Sequence, residues 1–368
     1  MKIIQIASGD LWAGAEVQLY HLSRFLQRQE GIELLVILLN SGQLADTLIK
    51  EGVSVQVIPE SKNSFFSLYQ KIKLVAREFS PDLIHSHRIK ENILTGLVAK
   101  QLNCATCRTA HGADEFNKGM LDLRSKILSF ADWFNTRFLQ RNIISVSDEL
   151  ASKLRNIYPK SKIVTISNSI DIDYVKQQAE MLDPELRDMA KIKLGFVGRF
   201  VDVKRVQLLV EALVELFNLR PDLDLHVLMV GDGPLYEEIK AIIAKFSLED
   251  KIQLLGFLEN PAPVIKELDY LIFTSKHEGL PMTLLEAMAL NTAIISTELP
   301  TIHKVLKGDY SGYFITSEAQ DMAKKILDIV ADNALRDTKA KRAYEILESE
   351  YSVENNGNKY ISLYQHLI

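Results

Sequence analysis

Short apolar runs recur along this chain, each followed by a longer amphipathic stretch, and this alternation restricts the fold more than any other feature. In the first half the runs are IIQIAS (3–8), LLVILL (34–39), VSVQVI (53–58), DLIHSH (82–87), ATCRTAH (105–111), NIISVS (142–147) and KIVTIS (162–167). In the second half they are KLGFVG (193–198), LHVLMVG (225–231), KIQLLG (251–256), YLIFTS (270–275) and AIIST (293–297). Apolar strands without polar alternation predict parallel sheets covered on both faces. The helical patterns between them, such as 16–29, 67–79 and 91–102, predict right-handed crossovers and a doubly wound α/β fold.

The chain is 368 residues long, and at about 150 residues per domain that length fits two such domains. The expected division is 1–170 for an amino-terminal Rossmann-like domain, and 171–191 for a polar connection containing Pro184. A second Rossmann-like domain follows over 192–350. Residues 351–368 are expected as a last helix that packs back on the first domain. Two such domains facing across a cleft would place a ligand at the carboxyl ends of their strands.

Composition removes several function classes. The chain is 47% hydrophobic and 25% charged, which excludes a disordered chain. Its longest uncharged apolar-rich stretch, Leu34 to Ala45, is shorter than the about 18 residues of a membrane span. The start, MKIIQIASGD, is too short for a signal-peptide core and reads as a strand. Two cysteines give no disulfide framework, so the cytoplasm is the expected compartment. Cys104-Ala-Thr-Cys107 lacks a second cysteine pair for zinc and reads as packing. The net charge of −5 conceals +5 over residues 1–170 and −10 thereafter. Such a split suits a first half that faces something anionic, or reflects scatter between domains.

The strongest chemical signal is Ser275-Lys-His-Glu-Gly-Leu-Pro-Met-Thr-Leu-Leu-Glu286, directly after an apolar strand. Pro281 is expected at the first helical position. The next backbone N–H groups, of residues such as Met282 and Thr283, then sit at the positive end of a helix dipole, an arrangement that binds phosphate. Glu278 before the helix and Glu286 inside it repel phosphate and suit sugar hydroxyls on either side of it. Ribose, diphosphate and hexose in one ligand, a nucleotide sugar, has this pattern.

A second signal is GFVGRFVDVKR (195–205), where Arg199 and Lys204 follow a strand ending at Gly198 and suit a diphosphate. A third, LMVGDGPL (228–235), is a strand-to-helix turn in which Gly231 and Gly233 allow close backbone approach and Pro234 starts a helix. It is not the G-x-G-x-x-G dinucleotide fingerprint, which argues against nicotinamide or flavin. A Gly-containing loop, Gly9 to Glu16, follows the first strand, with Gly14 as its backbone candidate. Thr109-Ala-His111-Gly112 ends another strand, and His111 there suits a substrate hydroxyl. His85 and His87 share a strand face and either line the cleft or pack. Basic and aromatic residues mix over Phe116–Arg141, as in an interfacial surface or an amphipathic helix packed on a sheet.

Taken in order, these motifs resemble those of family 4 of the retaining glycosyltransferases, nucleotide-sugar-dependent enzymes of the GT-B fold and of glycosyl transferases group 1. The similarity spans nearly the whole chain and is densest over 193–300. Glu278 and Glu286 match the family's Glu-x7-Glu pattern, Gly198, Arg199 and Lys204 its Gly-Arg-x4-Lys pattern, and Val230 to Pro234 its Val-Gly-x-Gly-Pro turn. Gly14 to Glu16 match its amino-terminal glycine loop, and His111-Gly112 its strand-end His-Gly. The resemblance implies that Arg199 and Lys204 hold the donor diphosphate and that Glu286 accepts from the ribose. Glu278 would bind hydroxyls of the hexose, with the N–H groups after it, over Gly279, Leu280, Met282 and Thr283, on the phosphate side. His111 would meet the sugar near the reacting carbon, Gly14 would admit the phosphates, and Phe257 and Leu258 would pass near the base.

The implied activity is metal-independent hexosyl transfer with retention, from a UDP-sugar or a GDP-sugar to a glycan or lipid-linked acceptor in cell-surface polysaccharide or lipopolysaccharide synthesis. No cofactor and no nucleic acid are expected, and an anionic membrane surface is an expected partner of the first domain. A nucleotide-sugar epimerase of the same fold and a non-catalytic nucleotide-sugar-binding subunit are the alternatives. The first is not expected to carry both the Glu pair and the Arg–Lys pair. The second is expected to lack Glu278, His111 or Lys204. The chain departs from the family's pattern at Ala13, Ser169 and Arg205, each where glycine is common. Arg205 either adds a phosphate contact or points to solvent.

Overall fold

The computed structural model describes residues 1–10, 14–111, 123–180 and 192–368, which form two compact units. The first comprises Met1–Ser169 and Val353–Ile368, the second Ile170–Ser352. Ala13 and Gly112 lie outside the described residues, as do Lys118 and the side chain of Arg124.

The first unit holds a seven-stranded, fully parallel sheet of β1 (Lys2–Ala7), β2 (Glu33–Leu38), β3 (Ser54–Val57), β4 (Leu83–Ser86), β5 (Ala105–Ala110), β6 (Asn142–Ser145) and β7 (Ile163–Thr165). Its order, β3-β2-β1-β4-β5-β6-β7, reverses direction between β1 and β4. That reversal is a topological switch point, where doubly wound sheets open a crevice at their carboxyl edge. The central strands are buried on both faces, as their unbroken apolar runs require, with Ile3, Ile4, Ile6, Val36 and Ile84 wholly inaccessible, whereas the edge strand β3 leaves Ser54 and Gln56 exposed. Helices Phe65–Phe79 and Ile89–Leu102 end at left-handed Ser80 and Asn103, which stop the helix where the chain must turn into the next strand.

The second unit repeats this plan with β8 (Ile192–Val197), β9 (Leu225–Val230), β10 (Ile252–Gly256), β11 (Tyr270–Phe273), β12 (Ala293–Thr297) and β13 (Tyr313–Ile315), in the order β10-β9-β8-β11-β12-β13. All its pairs are parallel and its switch point lies between β8 and β11. The core is packed from Phe196, Phe200, Leu209, Leu213, Met229, Ile272 and Ile326. Gly195 sits in β8 because a Cβ there would lie 2.0 Å from Leu268 Cδ1. The edge strand β13 has no counterpart in the sequence expectations.

The chain from Asp171, expected as a connection, opens with a helix, Ile172–Gln178. Asp171 caps it, accepting from Tyr174 N at 2.9 Å, and Ile172 and Val175 are buried. Residues 181–191 lie outside the described residues. The final helix, Val353–Leu367, belongs to the first unit. Its Tyr360 and Tyr364 are buried, the Tyr364 hydroxyl lies 2.7 Å from His85 Nδ1, and Asn356 Nδ2 donates to Ser167 O at 3.2 Å. Gly357 leaves room for the Phe25 ring, which a Cβ would meet at 2.4 Å. A cluster of buried polar groups also stitches the first unit. Arg108 Nη1 and Asn92 Nδ2 each donate to Asp132 Oδ1 at 2.6 Å, and the Tyr158 hydroxyl donates to Oδ2 at 3.0 Å. Among the described residues no helix is long and apolar enough to cross a membrane.

Candidate active site

In the second unit the carboxyl ends of β8 and β11, the two strands at the switch point, carry the groups singled out in the sequence. Beyond β8 come Gly198 and the exposed Arg199, then a single turn of 3-10 helix, Asp202–Lys204. Beyond β11 come Thr274 and Ser275, then the loop that bears Glu278. Lys204 Nζ lies 2.5 Å from Glu278 Oε1, and Ser275 Oγ donates to the same oxygen at 2.6 Å. Thr301 Oγ1 donates to Glu278 O at 3.2 Å, which ties the loop to the helix Pro300–Val305. Thus Lys204 and Glu278, 74 residues apart, form one charged pair.

The helix after this loop is Met282–Ala289, and Pro281 is its N-cap, one position earlier than expected. Pro281 is extended (φ −70°, ψ 136°) and its carbonyl accepts from Leu284 N at 3.2 Å. Proline has no side-chain acceptor, so the N-cap residue itself caps none of the first-turn amides. Glu286, inside the helix, is the group most altered by its surroundings. The residue as a whole is half-buried, but its Oε2 is covered and has no hydrogen-bond partner among the described residues. Burial raises its pKa from the ordinary carboxylate range to about 7. A carboxylate oxygen without a donor, next to a helix N-terminus, is suited to a ligand that brings its own hydroxyls.

Gly231 and Gly233 follow β9 at φ 139° and 155°. A Cβ on Gly231 would lie 1.9 Å from Gly198 O, and one on Gly233 would lie 2.6 Å from Phe200 O. The close approach these glycines allow is therefore to the backbone around Arg199, where Gly198 N donates to Val230 O (3.0 Å) and Phe200 N to Asp232 O (2.9 Å). Pro234 falls in the turn before the helix, which begins at Tyr236. Phe257 is exposed beyond β10, Leu258 and Gly279 are half-buried, and Leu280 is buried.

In the first unit His111 stands just beyond β5, and its ring stacks on His87 with centroids 5.3 Å apart. His87 Nε2 is 3.0 Å from Gln5 Oε1, and His87 Nδ1 is 3.0 Å from His111 Nε2. With the amide oxygen accepting, the His87 proton is on Nε2, so Nδ1 must accept from His111 Nε2–H. Burial holds His111 and His85 down at about 3 and His87 well below its ordinary value, so all three are neutral. His85 is fully packed, between the Tyr364 hydroxyl and Thr109 Oγ1 at 2.8 Å. Gly14 is exposed at the start of the helix Gly14–Gln27, and Glu16 behind it is buried and pairs with Arg88.

Sequence reasoning missed Ser275 and Thr301, whose hydroxyls carry no signal until the loop is folded. It also misjudged Arg205, whose side chain turns inward.

Two family models between them span most of the chain. Residues 12–174 match the model described as Glycosyltransferase Family 4, and residues 177–346 match Glycosyl transferases group 1. The chain is 25% identical over 311 residues to the N-acetyl-alpha-D-glucosaminyl L-malate synthase of Bacillus anthracis, covering 82% of this chain and 79% of that one. It is 24% identical over 306 residues to the capsular polysaccharide biosynthesis glycosyltransferase CapH of Staphylococcus aureus, covering 81% and 82%. The crystal structure of HepE of Anabaena in complex with UDP-glucose matches with a TM-score of 0.83 at 19% identity over 100% of both chains. With two parallel sheets of this order and both family models matched in sequence, the chain belongs to the family 4 glycosyltransferases of the GT-B fold.

Proposed function

We propose that the protein transfers a hexosyl residue, with retention and without a metal, from a nucleoside diphosphate sugar to a glycan or lipid-linked acceptor, in cell-surface polysaccharide or lipopolysaccharide synthesis. A UDP-sugar is favoured over a GDP-sugar, in keeping with the UDP-glucose named for the Anabaena structure. The observation that carries the proposal is the Lys204–Glu278 pair set beside the uncapped helix start and the unpartnered Glu286 oxygen. Cation, amides and two carboxylates in that order match diphosphate, hexose and ribose.

In the mechanism this implies, the bond from the anomeric carbon to the diphosphate oxygen breaks and negative charge grows on the leaving phosphate. Lys204, Arg199 and the amides of Met282 and Thr283 stabilise that charge more as it develops, which lowers the barrier rather than only tightening binding. A charge-assisted hydrogen bond to the leaving group contributes about 1.5–3 kcal/mol. Glu278 holds hexose hydroxyls, Glu286 holds the ribose, and neutral His111 is assigned a hydroxyl of the transferred sugar. The acceptor oxygen attacks from the face the phosphate leaves, and its proton passes to the departing phosphate. The groups that elsewhere would be a divalent ion are here side-chain and helix charge.

The test is turnover with UDP-glucose as probe, including slow hydrolysis without acceptor. Lys204→Ala is expected to lower kcat about 10- to 150-fold, the range that 1.5–3 kcal/mol corresponds to. Unchanged turnover at saturating donor removes Lys204 from the mechanism. Excess chelator is expected to leave the rate unchanged, and a product of inverted anomeric configuration would refute retention.

The protein is also proposed to work at the cytoplasmic face of a membrane. Along the helix Leu123–Phe138, Ile127, Phe130, Phe134 and Phe138 recur at helical spacing and are 48–66% exposed. An exposed apolar stripe in the basic half of the chain fits an anionic lipid surface. Failure to sediment with vesicles containing anionic lipid at low salt would end that proposal.

A further inference from the structure

Arg205 leads into the helix Val206–Leu219 from a left-handed backbone conformation, φ 49° and ψ 46°. Glycine takes that conformation freely, whereas a residue with a Cβ is strained in it. The Arg205 side chain explains why a strained residue stands there. Its guanidinium does not point outward: Nε donates to Thr274 O at 2.6 Å, and Nη2 donates to Ser275 O at 2.8 Å and to Thr297 Oγ1 at 3.3 Å. Thr274, Ser275 and Thr297 are all at most 1% exposed. The two carbonyls belong to the residues by which the chain leaves β11 for the Glu278 loop.

Bonds also run the other way. Thr274 Oγ1 donates to Lys204 O at 2.8 Å, Lys276 N donates to Val203 O at 2.8 Å, and Lys276 Nζ pairs with Asp202 at 2.7 Å. The turn that carries Lys204 and the strand exit that carries Glu278 are therefore sewn together, and Arg205 grips both peptide planes at the exit. Three residues on, Glu278 meets Lys204. A change in the peptide plane at Ser275 would swing that carboxylate away.

We propose that Arg205 is a positioning residue: it fixes the peptide carbonyls of Thr274 and Ser275 and thereby sets Glu278 against Lys204. The consequence for catalysis rests on the roles proposed above for Glu278 and Lys204; the clamp itself does not. Lysine cannot substitute, because a point charge on a flexible stem cannot span three acceptors as a planar fork does.

Hydrogen exchange of the ligand-free full chain tests the clamp. In Arg205→Gly, which relieves the backbone strain, and in Arg205→Lys, which keeps the charge, peptides over 274–281 are expected to exchange at least about tenfold faster, with 225–230 unchanged. Unchanged exchange over 274–281 in both variants overturns the proposal, and the lysine variant serves if the glycine variant does not fold. Calorimetry with UDP and with UDP-glucose then reads the catalytic consequence. The affinity for UDP-glucose is expected to fall at least about fivefold more than that for UDP, since Glu278 grips only the sugar. Equal losses for the two nucleotides overturn the positioning of Glu278. If the unaltered protein binds neither, the donor reading fails and the exchange result alone decides the clamp.

Discussion

The buried carboxyl of Glu286 should make donor binding depend on pH in a definite direction. Burial places its pKa at about 7 in the ligand-free protein. Two ribose hydroxyls donating to the ionised form would return it toward the ordinary carboxylate range. Binding then favours the ionised state, and the apparent Kd rises as pH falls through 7. With full exclusion of the protonated form, the Kd at pH 6 is about tenfold that at pH 8, a cost of about 1.4 kcal/mol. Binding at pH 7 releases about half a proton, because a group at its pKa is half protonated. The assay is calorimetry with UDP-glucose in buffers of different ionisation enthalpy; free UDP is avoided because a terminal phosphate itself titrates near pH 6. Exposed His277, in the same loop, is replaced by glutamine so that the slope belongs to Glu286. Glu286→Gln should bind more weakly at pH 8 and lose the slope. A donor Kd flat within twofold between pH 6 and 8, or the same slope in Glu286→Gln, would refute the reasoning. The ligand-free protein gives the complementary sign. A carboxyl with a raised pKa destabilises the fold above pH 7, and the penalty is relieved as pH falls from 7 toward 4.5. Glu286→Gln should therefore raise the unfolding free energy at pH 8 more than at pH 5, by at most about 3 kcal/mol since the residue keeps some exposure.

Two further outcomes follow from packing. Gly231→Ala drives a Cβ into Gly198 O and strains a backbone at φ 139°, so both Tm and donor affinity should fall; a variant with unaltered Tm would show that the loop yields freely. Asp132→Ala strips the carboxylate from Arg108, where both partners are at most 3% exposed; urea unfolding should show a loss of about 3–5 kcal/mol in the first unit, and a loss under 1 kcal/mol would mean the cluster is replaceable.

Most of the fold was legible because its central strands are buried. Burial on both faces leaves unbroken apolar runs such as Leu34 to Leu39, and crossover connections force helices between them. The Glu278–Glu286 and Arg199–Lys204 spacings were legible for a related reason: each pair lies within a short segment that follows one strand, β11 or β8, so local sequence sets it. What could not be read depended on contacts made across the chain. Ser275 and Thr301 act on Glu278 only because the loop folds over them. Gly231 and Gly233 were expected to admit a ligand, but their close neighbours are Gly198 and Phe200. Arg205 looked like a charge for phosphate or for solvent because sequence shows its charge and not its φ. The helix Ile172–Gln178 was hidden because its polar residues outnumber the two it buries.

The two units use one sheet plan for opposite electrostatic ends. At the carboxyl edge of the first sheet the chain has placed imidazoles deep enough to stay neutral, hydrogen-bonded to Gln5, Thr109 and Tyr364. Groups held this way can orient hydroxyls but add no charge. At the corresponding edge of the second sheet it has placed a cation, an uncapped helix start and two carboxylates, one of them already strained toward its neutral form. Lys204 offsets Glu278 there, whereas the buried carboxyl of Glu286 is a cost to the ligand-free protein, one that the proposed ribose hydroxyls would relieve on binding. On the proposed reading the burial cost of Glu286 is carried for donor binding, so a variant that gains stability at that position should lose donor affinity.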